Sequence, residues 1–163
     1  MNERLDLASR CAQALFERDP ASQGMGMRLL EENGVRVAVL SGRDSATLRK
    51  RVADLGITLC QFGVKDKLAA CNQLMAEAGV SAAHTACIGD DCIDLPAFAA
   101  CALSFAVADA PVYVKAAATH TLNAAGGTGA FREVADAILF AQGKEAVLGT
   151  AAGYAQVMAK MAQ

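Results

Sequence analysis

An α/β fold built on a parallel sheet is predicted by three features of the amino-acid sequence. From Gly34 onward short β-branched runs alternate with amphipathic helical stretches, Gly and Asp mark the joints between them, and 54% of the chain is hydrophobic against 20% charged. Alternation of this kind marks βαβ units, whose strands pair in parallel. The apolar excess suits a sheet covered by helices on both faces, or a subunit interface. A length of 163 residues is enough for one Rossmann-like domain over residues 1–163, with its own core and no separate cap domain.

The strand candidates are VRVAVLS (35–41), ITLCQFG (57–63), HTACIGD (84–90), LSFAVA (103–108) and the weaker THTLN (119–123). Helices are predicted between and after them, at SATLRKRVADLG, KLAACNQLMAEAG, IDLPAFAACA, PVYVKAAA and GAFREVADAILFAQG. In the first of these Leu48, Val52 and Leu55 share one face. Residues 145–163 read as a C-terminal tail helix. Before Gly34 the pattern changes. Leu5, Ala8, Cys11, Ala12, Leu15 and Phe16 recur at helical spacing, so 1–17 read as a leader helix, periodic from residue 3. Met25 to Glu32 read as a second helix, and ERDPASQG between them as a loop.

Charge and composition exclude several functions. The net charge is −2 with no Lys/Arg-rich run, so neither nucleic acid nor an anionic membrane is expected as a partner. The N-terminus MNERLDLASR has no apolar signal core, and no stretch is long enough to span a bilayer. A cytoplasmic protein is expected. The six cysteines include no CxxC pair and lie mostly within apolar runs, as small buried hydrophobes do.

Ligands of open parallel sheets bind beyond the carboxyl ends of the strands. At one such end stands GDDCID, with Asp90, Asp91 and, at helical distance, Asp94. Crowded carboxylates repel each other unless a hard cation neutralises them, and oxygen-only ligands suit Mg²⁺. Asp90 and Asp91 are the candidate metal ligands; the competing role, helix capping or orientation, is preferred for Asp94. In VAVLSGR, the Ser41 hydroxyl and the Gly42 amide could donate to a phosphate, with Arg43 as a bidentate donor; the same residues could equally form an N-cap and glycine turn. Lys67 opens a helix, where a cation is unusual unless it holds an anion; the alternative is a solvated surface lysine. Gly126-Gly127-Thr128-Gly129 could present amides to an anion, or form a turn capped by Thr128. His84 and His120, at strand starts, read as structural.

In order and spacing, LSGRDS, FGVKDKLAA, ACIGDDCIDLPAF, LSFAVADA and GGTGAFREVADAILFAQGK resemble successive motifs of the haloacid dehalogenase superfamily. The similarity is greatest to its capless phosphatases that act on 3-deoxy-D-manno-octulosonate 8-phosphate, and it covers about residues 24–144. It implies a Mg²⁺-dependent hydrolase of a phosphorylated sugar acid, working through an aspartyl-phosphate. It further implies a homotetramer and a place in lipopolysaccharide precursor synthesis. By position Ser41 would bind phosphate, Lys67 would steady phosphate and nucleophile, Asp90 would hold metal with Asp91 and Asp94 beside it, and Arg43 and the loop containing Gly127 would lie near the sugar acid. Lys67 and Asp90 are thus the catalytic candidates, and Ser41, Gly42, Arg43 and Gly127 the substrate-binding ones.

One departure from the family pattern is large. Members begin with a strand ending in Asp-x-Asp, the nucleophile and general acid, followed by a hairpin flap, and no Asp-x-Asp occurs in this sequence. RD (Arg18, Asp19) and GMGMRLL (24–30) resemble the family's RDGxGxxLL with PASQ inserted, leaving about 25 to 30 residues of the pattern without a counterpart, the size of a strand and hairpin. The missing strand would be central, and its loss would leave backbone groups unpaired. CAQALFER (11–18) is the one segment here that could replace it, bringing Asp19 near the nucleophile's place, although helical periodicity argues against it; a partner chain is the other source of a strand. The alternative to a phosphatase is therefore a non-catalytic subunit that keeps the pocket for binding or assembly.

Overall fold

The computed structural model describes residues 9–12 and 20–162. Among them a six-stranded sheet has all its pairings parallel and the order β3-β2-β1-β4-β5-β6. The strands are β1 (Ser9–Ala12), β2 (Arg36–Leu40), β3 (Leu59–Gln61), β4 (Thr85–Gly89), β5 (Leu103–Ala106) and β6 (His120–Thr121). The helices are α1 (Pro20–Glu32), α2 (Ala46–Asp54), α3 (Lys67–Ala78), α4 (Leu95–Ala100), α5 (Val112–Ala117), α6 (Ala130–Ala141), α7 (Glu145–Gly149) and α8 (Ala151–Met161). No inserted cap interrupts this order among the described residues.

The central slot is filled from within the chain. β1 pairs Ser9 with both Arg36 and Thr85, and Ala12 with both Val39 and Ile88. Residues 9–12 are thus strand, where the leader-helix reading of 1–17 has helix; the rest of that segment, and Asp19 after it, lie outside the described residues. The physical reason is that β2 and β4 each present a row of N–H and C=O groups toward this slot, and buried ladders must be paired. That tertiary demand outweighs a helical pattern in a segment too short to show strand alternation.

Both central neighbours are buried along their length: Val37–Leu40 of β2 and all of β4. This is the expected state of a parallel sheet covered on two faces. Helix α1 packs on α6 and α8, and α3 packs on α4. In α6 the buried set Ala130, Phe131, Val134, Ala135, Ile138 and Leu139 follows the helical repeat. Where α1 crosses α6, a Cβ on Gly26 would sit 3.3 Å from the Arg132 backbone, so the glycine permits the close approach.

Three boundaries differ from the sequence reading. Helix α1 begins at Pro20, taking in PASQG from the expected loop; proline is tolerated in a first helical turn, where its missing N–H has no partner to lose. The stretch IDLPAFAACA is not one helix: a 3₁₀ turn that starts one residue earlier, Cys92–Asp94, precedes the short α4. The expected single tail helix over 145–163 is broken at Thr150, whose hydroxyl accepts from the Gly153 N–H at 3.0 Å and starts α8 afresh.

If residues 9–12 carry the central ladder, Cys11→Pro removes a ladder donor where proline is not tolerated, and should cost at least about 3 kcal/mol in urea unfolding. A loss below about 0.5 kcal/mol, typical of an unconstrained surface position, would contradict this placement.

Candidate functional site

The loops beyond the carboxyl ends of the strands are tied to one another. After β2, the Ser41 N–H donates to the Gln61 carbonyl, and the Ser41 carbonyl accepts from Val64 N–H, each at 3.0 Å. The Gly63 N–H reaches the Arg43 carbonyl at 3.2 Å. After β5 and β6, the Asp109 carboxylate accepts from Gly126 N–H at 2.8 Å. Glu133 of α6 accepts from the backbone amides of Asn123 and Ala124 and from the Asn123 side chain. Burial of Glu133 acts to raise its pKa, but these hydrogen bonds prevail and hold it below the ordinary value.

At the centre of this surface lies a buried ion pair. Lys67, the first residue of α3, is 3% exposed, and its Nζ stands 2.5 Å from Asp94 Oδ1. Asp66 caps α3 by accepting from Ala69 N–H at 3.0 Å. The other Asp94 oxygen, Oδ2, accepts from the backbone N–H groups of Asp90 at 2.9 Å and Asp91 at 3.2 Å. Asp94 thus binds the lysine and fixes the turn after β4 with one carboxylate. Gly89 makes room for it: a Cβ there would lie 2.5 Å from the Asp94 Cβ, closer than real side chains approach. Lys67 is therefore buried, and the solvated-lysine alternative does not hold.

Asp90 follows Gly89 at the end of β4 and is half-buried. Its carboxyl is pushed up to about 6, first by desolvation and then by the adjacent Asp94 carboxylate and a hydrogen bond with it; Lys67 acts in the opposite sense. Asp91 is exposed, and its Oδ1 caps the 3₁₀ turn by accepting from Cys92 N–H at 2.6 Å. The described residues contain no group of three His, Cys, Asp or Glu side chains placed to hold a metal. The crowd of three carboxylates suggested by GDDCID is resolved differently: Asp94 is neutralised by Lys67, leaving Asp90 and Asp91 for any cation. Two hard oxygen donors fit Mg²⁺, which keeps several waters and takes further ligands from a phosphate.

Ser41 is buried, and its hydroxyl oxygen accepts from Arg43 N–H at 3.0 Å, a bond that does not use its own proton. The N-cap of α2 is Ser45, which accepts from Leu48 N–H, so the capping alternative for Ser41 fails. Gly42 and Arg43 are exposed beside it. In the glycine loop the helix-capping residue is Gly129, in the left-handed region, and not Thr128, whose hydroxyl donates to the Ala125 carbonyl at 2.8 Å. Gly127 is buried while Thr128 is exposed. The two histidines are held away from these loops: His84 Nδ1 meets Ser81 Oγ at 3.1 Å, and His120 stacks on Phe105. The structure thus joins Lys67, Asp90, Asp91 and Asp94 directly, with Ser41 and the glycine loop on the same side of the sheet. What the sequence did not disclose is that Asp94 is the partner of Lys67.

Comparisons with known proteins bear on the family and the fold. A haloacid dehalogenase-like hydrolase model matches residues 63–132. The 3-deoxy-D-manno-octulosonate 8-phosphate phosphatase of Haemophilus influenzae is 56% identical over 140 residues, covering 86% of this chain and 78% of its own. The chain belongs to the 3-deoxy-D-manno-octulosonate 8-phosphate phosphatase family. Its enzyme class is accordingly that of the phosphatases. A solved cobalt-bound structure of the Haemophilus phosphatase superposes with a TM-score of 0.89 at 46% identity, covering 93% of this chain and 98% of that one. The Moraxella catarrhalis phosphatase, solved with magnesium, phosphate and the sugar acid, gives 0.82 at 25% identity over 90% and 95% of the two chains.

The raised Asp90 carboxyl has a consequence for stability. It keeps its proton to about pH 6 in the folded chain, against an ordinary value of 3.8, so folding takes up a proton between these values. The stability associated with the neutral form is complete below the unfolded value and lost as pH rises through about 6. In metal-free protein Asp90→Asn should therefore melt about 2 to 5 °C above the parent at pH 8, with the difference narrowing as pH falls through about 6 toward 3.8, as read by thermal unfolding with chelator. A difference that does not change with pH would contradict the assignment.

Proposed function

We propose that this chain carries the metal- and phosphate-holding part of a Mg²⁺-dependent sugar-acid phosphatase site, and that its own turnover is very weak. The observation that carries the first part is the buried Lys67–Asp94 pair, which fixes an ammonium beside Asp90 at the end of β4. Asp90 and Asp91 would hold Mg²⁺, whose contribution when bound is to neutralise charge on the transferring phosphoryl group. Lys67 would lie against a phosphate oxygen, and the Ser41 hydroxyl and Gly42 amide would donate to others. Arg43 and the loop containing Gly127 would face the sugar acid, with the exposed Thr128 the nearer of the loop's residues to solvent. The magnesium-, phosphate- and sugar-bound relative supports the ligand set by similarity.

The observation behind the second part is the register of β1. Ser41 and Asp90 each stand two residues beyond the partners of Ala12, and two residues beyond Ala12 in the sequence is Ala14, which has no carboxylate. Asp19 is seven residues beyond Ala12 and outside the described residues. Covalent phosphoryl transfer needs an attacking oxygen in line with phosphorus, and the remaining groups act on a transition state that lacks it. This same observation favours a second reading, a non-catalytic subunit that binds phosphate and metal or assembles with complete subunits. In either case the chain is proposed to be a cytoplasmic homotetramer of the lipopolysaccharide precursor pathway; exposed Val112, Tyr113 and Phe140 are compatible with subunit contacts.

The test is hydrolysis of 3-deoxy-D-manno-octulosonate 8-phosphate with Mg²⁺, beside calorimetric titration with Mg²⁺ and inorganic phosphate. Turnover should lie roughly 10⁴- to 10⁶-fold below that of a version given an Asp-x-Asp strand and flap. Binding should be measurable in the chain and lost in Asp90→Ala. Robust turnover abolished by Asp19→Ala would make Asp19 the nucleophile and overturn the proposed weakness. Turnover or binding untouched by Asp90→Ala would overturn the site itself.

A further inference from the structure

Two cysteines meet beneath the ion pair. Cys71 lies on α3, four residues after Lys67, and is fully buried; Cys101 closes α4, seven residues after Asp94, and is half-buried. Their sulfur atoms are 3.7 Å apart. We propose that Cys71 and Cys101 form a reversible intramolecular disulfide in the folded protein, stapling α3 to α4 behind the site.

The geometry calls for a small movement. A disulfide has its sulfurs about 2.05 Å apart, so closing the gap requires about 1.7 Å of approach, within the reach of side-chain torsions at a helix end. Contacts already hold the two helices together, so the crosslink would join segments that are neighbours in the reduced protein. Cys71 and Cys101 belong to the two helices whose leading ends carry Lys67 and the Asp94 turn, so the staple would restrain the frame on which that pair is built. Neither thiol has a place in the proposed phosphatase chemistry, and the inference holds whatever the chain's turnover.

The difference in exposure sets the order of events. Thiol–disulfide exchange begins with a thiolate that a small disulfide can reach. The Cys101 thiolate attacks one sulfur of oxidised glutathione; the reagent's S–S bond breaks, and one glutathione thiolate leaves and takes up the proton that Cys101 lost. The Cys71 thiolate then attacks the Cys101 sulfur of the mixed disulfide, and the second glutathione leaves with the proton from Cys71. Two protein thiols are oxidised, and one glutathione disulfide is reduced to two thiols. Cys92, exposed on the turn after β4, has no such neighbour among the contacts described and provides an internal control for simple mixed-disulfide formation.

The experiment treats the folded chain with oxidised glutathione, quenches with an alkylating agent and maps the peptides by mass spectrometry. A Cys71–Cys101 peptide lighter by two hydrogens than its separate thiol peptides is expected in the parent and in Cys92→Ser. In Cys71→Ser the crosslink should vanish and Cys101 should retain glutathione instead. Three results would overturn the proposal: Cys92 carrying glutathione while Cys71 and Cys101 are both recovered alkylated, a glutathione adduct on Cys101 that persists in the parent, or a crosslink that forms only in urea. Circular dichroism of each variant before oxidation confirms that the thiols were presented by folded protein.

Discussion

The pairing of Lys67 with Asp94 is the constraint around which the carboxyl-end surface is organised. Removing an ammonium and a carboxylate from water is costly, and their attraction offsets that cost only if the remaining polar valences are satisfied. Asp94 meets this condition by giving Oδ1 to Lys67 and Oδ2 to two backbone amides. One side chain therefore fixes the direction in which β4 leaves the sheet, the position of Asp90 and the seat of α3. Gly89 follows from the same requirement, since any larger residue would occupy the space of the Asp94 side chain.

The sheet imposes its own condition. A parallel order with β1 between β2 and β4 pairs, among the described residues, Arg36 to Val39 and Thr85 to Ile88 across the centre. The same strand order brings the ends of β2, β4 and β5 to one side, where hydrogen bonds between Ser41 and residues Gln61 and Val64, and from the glycine loop to Asp109, tie the loops together. The site is in this sense a property of the sheet's order, with the ion pair fixing its middle.

Much of this was legible in the sequence. The βαβ alternation after Gly34, the crowded carboxylates of GDDCID and the glycine loop before α6 all indicated the fold and the active end, because each has a local physical signature. The parts that were not legible depend on partners distant in sequence. Residues 9–12 follow a helical pattern and become strand because β2 and β4 require pairing. For Lys67 a solvated surface position stayed open beside the anion-holding role, because nothing near it in sequence reveals a carboxylate 27 residues away. Asp91 caps a turn that a smooth helical reading of IDLPAFAACA conceals, and Cys92, read with the other cysteines as buried, is exposed because it sits on that turn. Thr150 breaks the tail helix although the apolar pattern runs across it.

The dependence on the buried pair is tested most directly by a double-mutant cycle of Lys67→Met and Asp94→Asn, with each unfolding free energy taken from urea titration. Either single change leaves a buried group without its partner, whereas the double change removes both charges together. A coupling energy of about 2 to 3 kcal/mol is expected, with the double variant more stable than the sum of the single losses implies. Additive losses within about 0.5 kcal/mol would contradict the account, showing that the two side chains contribute independently and that the pair does not organise the site.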